Sequence, residues 1–84
     1  MVRVGYGVNV RTFGKSSFKN CINLSECSML SANFIEDNAF EGCTSITYAN
    51  TKRCTAIGQE AFKGCTSLTA VNAAECKFID ANAF

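Results

Sequence analysis

Residues 57–78 read IGQEAFKGCTSLTAVNAAECKF, and residues 35–56, IEDNAFEGCTSITYANTKRCTA, carry the same order of apolar, glycine and cysteine positions. A more divergent copy, FGKSSFKNCINLSECSMLSANF, occupies residues 13–34, and a fourth begins at residues 79–84 as IDANAF. The repeat length is 22 residues throughout. Because a fixed period of about twenty residues with apolar letters in register is typical of stacked units, the sequence predicts a repeat solenoid.

The residues that recur at this period are predicted to form the interior columns of the solenoid, since stacked equivalents bury one another. The predicted core residues, column by column, are Phe18, Phe40, Phe62 and Phe84; Cys21, Cys43 and Cys65; Cys54 and Cys76; and Ile35, Ile57 and Ile79. We predict one repeat domain over residues 1–84. It is divided into a partial N-terminal unit 1–12, the repeats 13–34, 35–56 and 57–78, and a truncated fourth repeat 79–84.

The repeats resemble the BspA-like class of leucine-rich repeats, whose units read roughly I-G-x-x-A-F-x-G-C-x-S-L. AFKGCTSL at residues 61–68 and AFEGCTSI at residues 39–46 carry this resemblance, which covers residues 13–84. The chain departs from the pattern by lacking the proline that usually follows the strand. It departs again in the first repeat, where Ser17 and Asn20 replace alanine and glycine.

Each repeat is predicted to hold one short strand and one turn. The segment LTAVNA has the L-x-x-L-x-L pattern of such a strand, with Leu68, Val71 and Ala73 facing inward. The segment GQEAFKG is predicted to form a short helical or 3-10 turn that Gly64 closes. The fold class is therefore a solenoid of the leucine-rich-repeat type. It has short parallel β-strands on the concave face, and short helical or 3-10 turns and loops on the convex side.

The outward positions of the strands predict a small concave face of mixed polarity. The candidate interaction residues are Glu26, Ser28, Thr47, Tyr48, Asn50, Thr69 and Asn72. Tyrosine is enriched at interaction hot spots, which makes Tyr48 the candidate anchor. The alternative is that the Tyr48 side chain covers the surface of the sheet and contacts no partner. Asn50 and Asn72 occupy equivalent positions, which suits a structural role as readily as a binding role.

The composition argues against an enzyme. The chain has no histidine, so neither a Ser/His/Asp nor a Cys/His set is possible. The acidic residues Glu36, Asp37, Glu60 and Asp80 fall on the predicted solvent side and have no pocket to shift their pKa values apart. No CxxC spacing occurs. We therefore predict no catalytic residues, no cofactor and no metal site.

Six cysteines in 84 residues raise the question of a disulfide framework. Cys21, Cys43 and Cys65 share one repeat position, so their side chains point the same way in a stacked column. A disulfide instead needs Cβ atoms that converge to about 3.8 Å. The register therefore favours buried thiols and, with them, a reducing intracellular compartment or organelle; the alternative location is the cell surface.

The net charge is +1 and no run of Lys and Arg exceeds two residues, which predicts no nucleic-acid binding. No stretch reaches the roughly 20 apolar residues that span a bilayer, which predicts no transmembrane segment. The apolar start VRVGYGVNV and the final Phe84 lack polar caps. We therefore expect exposed core at both ends of the solenoid unless partners cover it.

These features favour a non-enzymatic protein–protein interaction or scaffold module. We expect an accessory or structural subunit of a larger assembly, whose other protein subunits cover the solenoid ends or the concave face. The resemblance implies an alternative, because BspA-like repeats occur in cell-surface proteins that bind host or matrix proteins. On that interpretation the chain is a fragment of a cell-surface adhesin-type leucine-rich repeat protein.

Overall fold

A computed structural model describes residues 2–4 and 10–84 of the chain, which form short strands joined by turns. The strands are β1 (Val2–Val4), β2 (Thr12–Phe13), β3 (Leu24–Cys27), β4 (Phe34–Ile35), β5 (Tyr48–Asn50), β6 (Ala56–Ile57), β7 (Ala70–Asn72) and β8 (Phe78–Ile79). All strand pairings among them are parallel. Of the predicted unit 1–12, residues 1 and 5–9 lie outside the described residues.

The strands lie on two sides of the solenoid. On the main strand face, which is the predicted concave face, β1 pairs with β3 and β5 pairs with β7. On the second face, β2, β4, β6 and β8 form one continuous four-stranded sheet. Tyr48 pairs with Ala70, and Ile35 pairs with Ile57. In these pairs the offset equals the repeat length, whereas the register of the β1–β3 pair shifts between Val2 and Arg3. The predicted solenoid of parallel strands is confirmed.

The third side, which we call the turn face, corrects the prediction of helical or 3-10 turns. The described residues contain no helix, and this side is a series of tight turns at residues 15–20, 37–42 and 59–64. The Ala39 amide donates to the Glu36 carbonyl at 3.2 Å, and the next turn begins at Asn38, whose φ is 60°. Because a residue with positive φ interrupts a right-handed helix, the turns cannot merge into one.

The left-handed residues also redirect the backbone amides toward the neighbouring repeat. The Phe40 amide donates to the Ala61 carbonyl at 2.8 Å, and the Gly42 amide donates to the Lys63 carbonyl at 2.7 Å. One repeat earlier, the Phe18 amide donates to the Ala39 carbonyl at 2.9 Å. Helical turns would keep these hydrogen bonds within one repeat, whereas this arrangement joins successive repeats on the turn face as well.

A stack of phenylalanine rings runs through the core beneath the turn face. The rings of Phe18, Phe40, Phe62 and Phe84 follow one another with centroids 5.5, 5.4 and 5.2 Å apart and interplanar angles of 6°, 7° and 8°. Phe13 packs against Phe40 at 5.1 Å with a 55° tilt. Aromatic pairs at these separations add to the stabilisation from burial alone. The 22-residue period is therefore also the spacing of a continuous aromatic column.

The predicted core residues differ in burial according to the repeat in which they lie. Seven of them are buried, all within the repeats 35–56 and 57–78: Ile35, Phe40, Cys43, Cys54, Ile57, Phe62 and Cys65. Three more are partly buried against the core: Phe18, Cys21 and Cys76. Ile79 and Phe84 are 45% and 54% exposed, because each has a stacked neighbour on one side alone. The inward-facing Val71 is 38% exposed for the same reason.

Candidate interaction surface

The main strand face is interrupted between β3 and β5, which belong to different sheets. Strand β3 spans Leu24–Cys27, which corresponds to positions 46–49 in the next repeat. Strand β5 of that repeat spans Tyr48–Asn50. The two strands therefore begin at different points of the repeat and share only part of their length. This offset opens a groove between them.

The groove has a volume of about 290 Å³. Its lining residues are Ser25, Glu26, Cys27, Ser28, Met29, Leu30, Thr47, Tyr48 and Asn50. The structure thus brings together five of the predicted surface residues, namely Glu26, Ser28, Thr47, Tyr48 and Asn50. Thr69 and Asn72 belong to the next repeat and do not line it.

Two large apolar side chains flank this groove. Tyr48 is 49% exposed and Leu30 is 46% exposed. The sequence analysis did not identify Leu30 as a surface residue. A usable signal was present, because the equivalent residues in the later repeats are the polar Lys52 and the small Ala74.

The two equivalent asparagines of the predicted surface have structural roles. The Asn50 side-chain oxygen accepts a hydrogen bond from the Lys52 amide at 3.3 Å, and the Asn72 oxygen accepts one from the Ala74 amide at 3.3 Å. Such bonds to the backbone two residues on close an Asx turn. The first repeat has Ser28 at this position. The Asx turn is therefore a feature of the later repeats, and the groove lies where it is replaced.

The threonines of this face also form hydrogen bonds between neighbouring repeats. The Thr69 hydroxyl donates to the Thr47 carbonyl at 3.2 Å, across one repeat. Thr51 is fully buried, and its hydroxyl donates to the Asn72 carbonyl at 2.9 Å. These bonds satisfy polar groups that burial would otherwise penalise. Of the predicted surface residues, Tyr48 is the one with a large exposed side chain in the groove.

The cysteines donate hydrogen bonds across the stacked repeats. The Cys43 thiol donates to the Phe18 carbonyl at 3.0 Å, and the Cys65 thiol donates to the Phe40 carbonyl at 3.1 Å. All six cysteines are free thiols. Burial raises the pKa of the Cys27 thiol to about 12 and the pKa of the Cys43 thiol to about 11. These thiols are protonated near neutral pH, which suits a donor in the core and not a nucleophile.

The acidic residues of the turn face bond to neighbouring repeats. The Asp37 carboxylate accepts a hydrogen bond from the Gln59 amide at 2.9 Å, and Glu60 accepts one from the Asn38 side chain at 3.1 Å. Glu60 also forms an ion pair with Lys63 at 3.4 Å. Among the side chains that the structure describes, no three His, Cys, Asp or Glu residues form a cluster able to hold a metal ion.

The comparisons with known proteins agree with this architecture. The BspA type leucine-rich repeat region, in six copies, matches residues 3–84. The chain belongs to the BspA-type leucine-rich repeat family. No curated protein and no solved structure matches the chain. Leucine-rich repeats generally mediate protein–protein interactions, and the family is typically non-enzymatic. In the described part of the chain, no helix has the length and apolar character needed to cross a membrane.

Proposed function

We propose that this BspA-type chain is a non-enzymatic scaffold that binds a protein partner in the groove between β3 and β5, as an accessory or structural subunit of a larger assembly. The observation that supports this most directly is the position of the groove. It lies where the main strand face is interrupted, and it carries the exposed side chains of Tyr48 and Leu30.

The groove suits a protein segment with an apolar side chain. A partner side chain seated between Tyr48 and Leu30 would remove apolar surface from water, at about 25 cal/mol for each Å² buried. Ser28 and Thr47 supply hydroxyl groups beside this apolar contact. A small apolar centre with a polar rim is the usual anatomy of a protein interface.

Site-specific photo-crosslinking tests this proposal. A photoreactive phenylalanine derivative replaces Tyr48 in one variant and Lys15 in a matched control, since Lys15 is exposed on the turn face. In cells that express the chain, we expect a discrete crosslinked protein from position 48 and none from position 15. Crosslinking of the same protein from position 15 alone would contradict the proposal.

Affinity measurements with the crosslinked partner then separate a hot spot from general adhesion. Tyr48→Ala is expected to weaken binding by about 2 kcal/mol, the magnitude typical of a hot-spot aromatic residue. Phe78→Ala is the matched control, because Phe78 is an aromatic residue that is 71% exposed on the second face. Equal losses from the two substitutions would argue for non-specific apolar contact.

The proposal includes a reducing intracellular compartment. It is supported by the six free thiols, four of which are buried. Thiol titration of the native protein provides the test. We expect Cys27, Cys43, Cys54 and Cys65 to react slowly, and rapid labelling of all six thiols or oxidised pairs in the natural protein would contradict this part of the proposal.

The second candidate is a segment of a cell-surface adhesin, which membership of the BspA-type family favours. Protease treatment of intact cells separates the two candidates. A surface adhesin is digested without lysis, whereas an intracellular subunit is digested only after lysis.

A further inference from the structure

A second, separate pocket lies where the chain passes from the main strand face to the second face. It has a volume of about 230 Å³, and its lining residues are Arg11, Ser31, Asn33 and Arg53. None of these residues lines the groove between β3 and β5. Both ionisable side chains in the lining are arginines, so the pocket combines positive charge with polar groups.

The pocket spans three successive repeats. Arg11 precedes β2, Ser31 and Asn33 precede β4, and Arg53 precedes β6. Arg11 is equivalent to Asn33 and Arg53 is equivalent to Ser31, so two strand spacings of about 4.8 Å and two further residues along the chain separate the two arginines, on either side of the middle repeat. Arginine side chains are long enough to reach over one intervening repeat from both sides.

Backbone hydrogen bonds between successive repeats, which form a ladder, fix the backbone around this pocket. The Arg11 carbonyl accepts a hydrogen bond from the Asn33 amide at 2.7 Å, and the Asn33 carbonyl accepts one from the Thr55 amide at 2.7 Å. The Thr55 hydroxyl also donates to the Asn33 carbonyl, at 3.0 Å. The ladder thus holds the side chains that line the pocket on a rigid backbone, as a binding site requires.

Three of the four lining side chains, those of Arg11, Asn33 and Arg53, are not used by the fold. In the part of the chain that the structure describes, the guanidinium groups of Arg11 and Arg53 form no ion pair, and the Asn33 side chain forms no hydrogen bond. Two cations that share a pocket without a carboxylate repel each other. An anion in the pocket would replace this repulsion with attraction to both.

We propose that this pocket binds a tetrahedral oxyanion, a phosphate or sulfate group, between the guanidinium groups of Arg11 and Arg53. Each guanidinium presents a planar fork of N–H donors that matches two oxygens of such a group. The Asn33 amide adds further donors from the middle repeat. A planar carboxylate has two oxygens and fills one fork, whereas a tetrahedral oxyanion can engage both. This inference goes beyond the proposed function and does not depend on it.

Titration with small anions tests the site on the full chain. Sodium sulfate, inorganic phosphate and sodium acetate are compared at constant ionic strength in chloride buffer, by calorimetry and by amide chemical shifts. We expect saturable binding of sulfate and phosphate with shifts centred on Ser31, Asn33 and Arg53, and no saturable binding of acetate. Equal responses to sulfate and acetate, or no saturable binding at all, would overturn the proposal.

Variants distinguish a built site from general positive charge. The double substitution R11Q/R53Q is expected to weaken sulfate binding at least tenfold, because it removes charged donors from both sides of the anion. The matched control K15Q/K19Q removes the same charge from the turn face and is expected to leave affinity within twofold of the parent. Equal weakening by the two double variants would overturn the proposal.

The conservative variant R53K tests the geometry of recognition. Lysine retains the charge but loses the planar fork, so we expect affinity between those of the parent and R11Q/R53Q. Affinity equal to that of the parent would overturn the bidentate arrangement. Arg11 and Arg53 are exposed, so the variants are expected to fold. Unchanged melting temperatures in sulfate-free buffer check this expectation.

Discussion

The turn face and the main strand face are built from the same repeats, yet one is continuous and the other is interrupted. Beneath the turn face, four phenylalanine rings stack from Phe18 to Phe84, and backbone hydrogen bonds join each repeat to the next. On the main strand face, the strands divide into the pairs β1–β3 and β5–β7. This difference indicates that the turn face maintains the stacking, and it underlies the proposal that the main strand face binds a partner.

The largest expected effect is the loss of a ring from the middle of the stack. Phe40 is fully buried and contacts the rings of Phe13, Phe18 and Phe62. Phe40→Ala should lower the free energy of unfolding by about 3–5 kcal/mol, as measured by urea denaturation. The matched control is Phe84→Ala, which should cost clearly less because Phe84 is 54% exposed. Equal costs would contradict a continuous column that carries the stability.

The second-largest expected effect is a loss of stability at alkaline pH, caused by ionisation of the buried thiols. Burial raises the pKa of Cys43 to about 11, above its ordinary value of 9.0. Below that ordinary value both states hold the proton, so the titration of this thiol does not make stability depend on pH. Above it the unfolded state loses the proton first, and the free energy of unfolding should fall by about 1.4 kcal/mol per pH unit up to the folded pKa.

Urea denaturation of the parent and of Cys43→Ala under reducing conditions isolates the contribution of this thiol to the pH dependence of stability. The measurements run from about pH 8 to 11, roughly the span over which the thiol titrates. The parent should lose stability more steeply than the variant above pH 9, about the ordinary thiol pKa. Parallel curves would show that Cys43 ionises as readily in the folded protein as in the unfolded one.

A smaller effect is expected at the glycine that ends each series of turns. Gly42 and Gly64 both have a φ of 76°, and Asn20 occupies the equivalent position with a φ of 62°. Gly64→Ala should cost about 1 kcal/mol, because an alanine side chain disfavours this conformation. Gly64→Asn should cost less, since asparagine tolerates it. Thermal melting checks this order of stability losses. A smaller loss for Gly64→Ala than for Gly64→Asn would contradict the turn geometry.

The smallest effect on stability is expected on the main strand face. Tyr48 is 49% exposed, so Tyr48→Ala should change the free energy of unfolding by no more than about 0.5 kcal/mol. Chemical denaturation checks this value. A loss comparable to that of Phe40→Ala would mean that Tyr48 belongs to the core and is not available to a partner.

The sequence predicted the parts of the fold that depend on the repeated side chains. The columns of Phe40 and Cys43 follow from the period, because buried equivalents must stack. The helical or 3-10 turn was wrong because a closing glycine such as Gly64 fits either a helix end or a tight turn. The continuous second sheet was missed because the period marks Ile35 and Ile57 as buried without showing that their backbones pair.

The two candidate sites were less accessible to sequence reasoning. The groove depends on where β3 begins within its repeat, and no repeated letter marks that point. Tyr48 was found because it is the aromatic residue of its strand, whereas Leu30 was hidden in the divergent first repeat. The arginine pocket was missed because Arg11 and Arg53 are far apart in the sequence, and a scan for runs of basic residues does not detect cations that the stacking brings together.

Residue-resolved hydrogen exchange, with and without the crosslinked partner, tests the division between the two faces most directly. In the free protein, the amides of Phe18, Phe40 and Phe62 should exchange slowly, because each donates to the next repeat. Addition of the partner should increase protection at residues 28–30 and 47–50 and leave the turn face unchanged. New protection confined to the turn face would contradict the claim that the interrupted face binds and the continuous face stabilises.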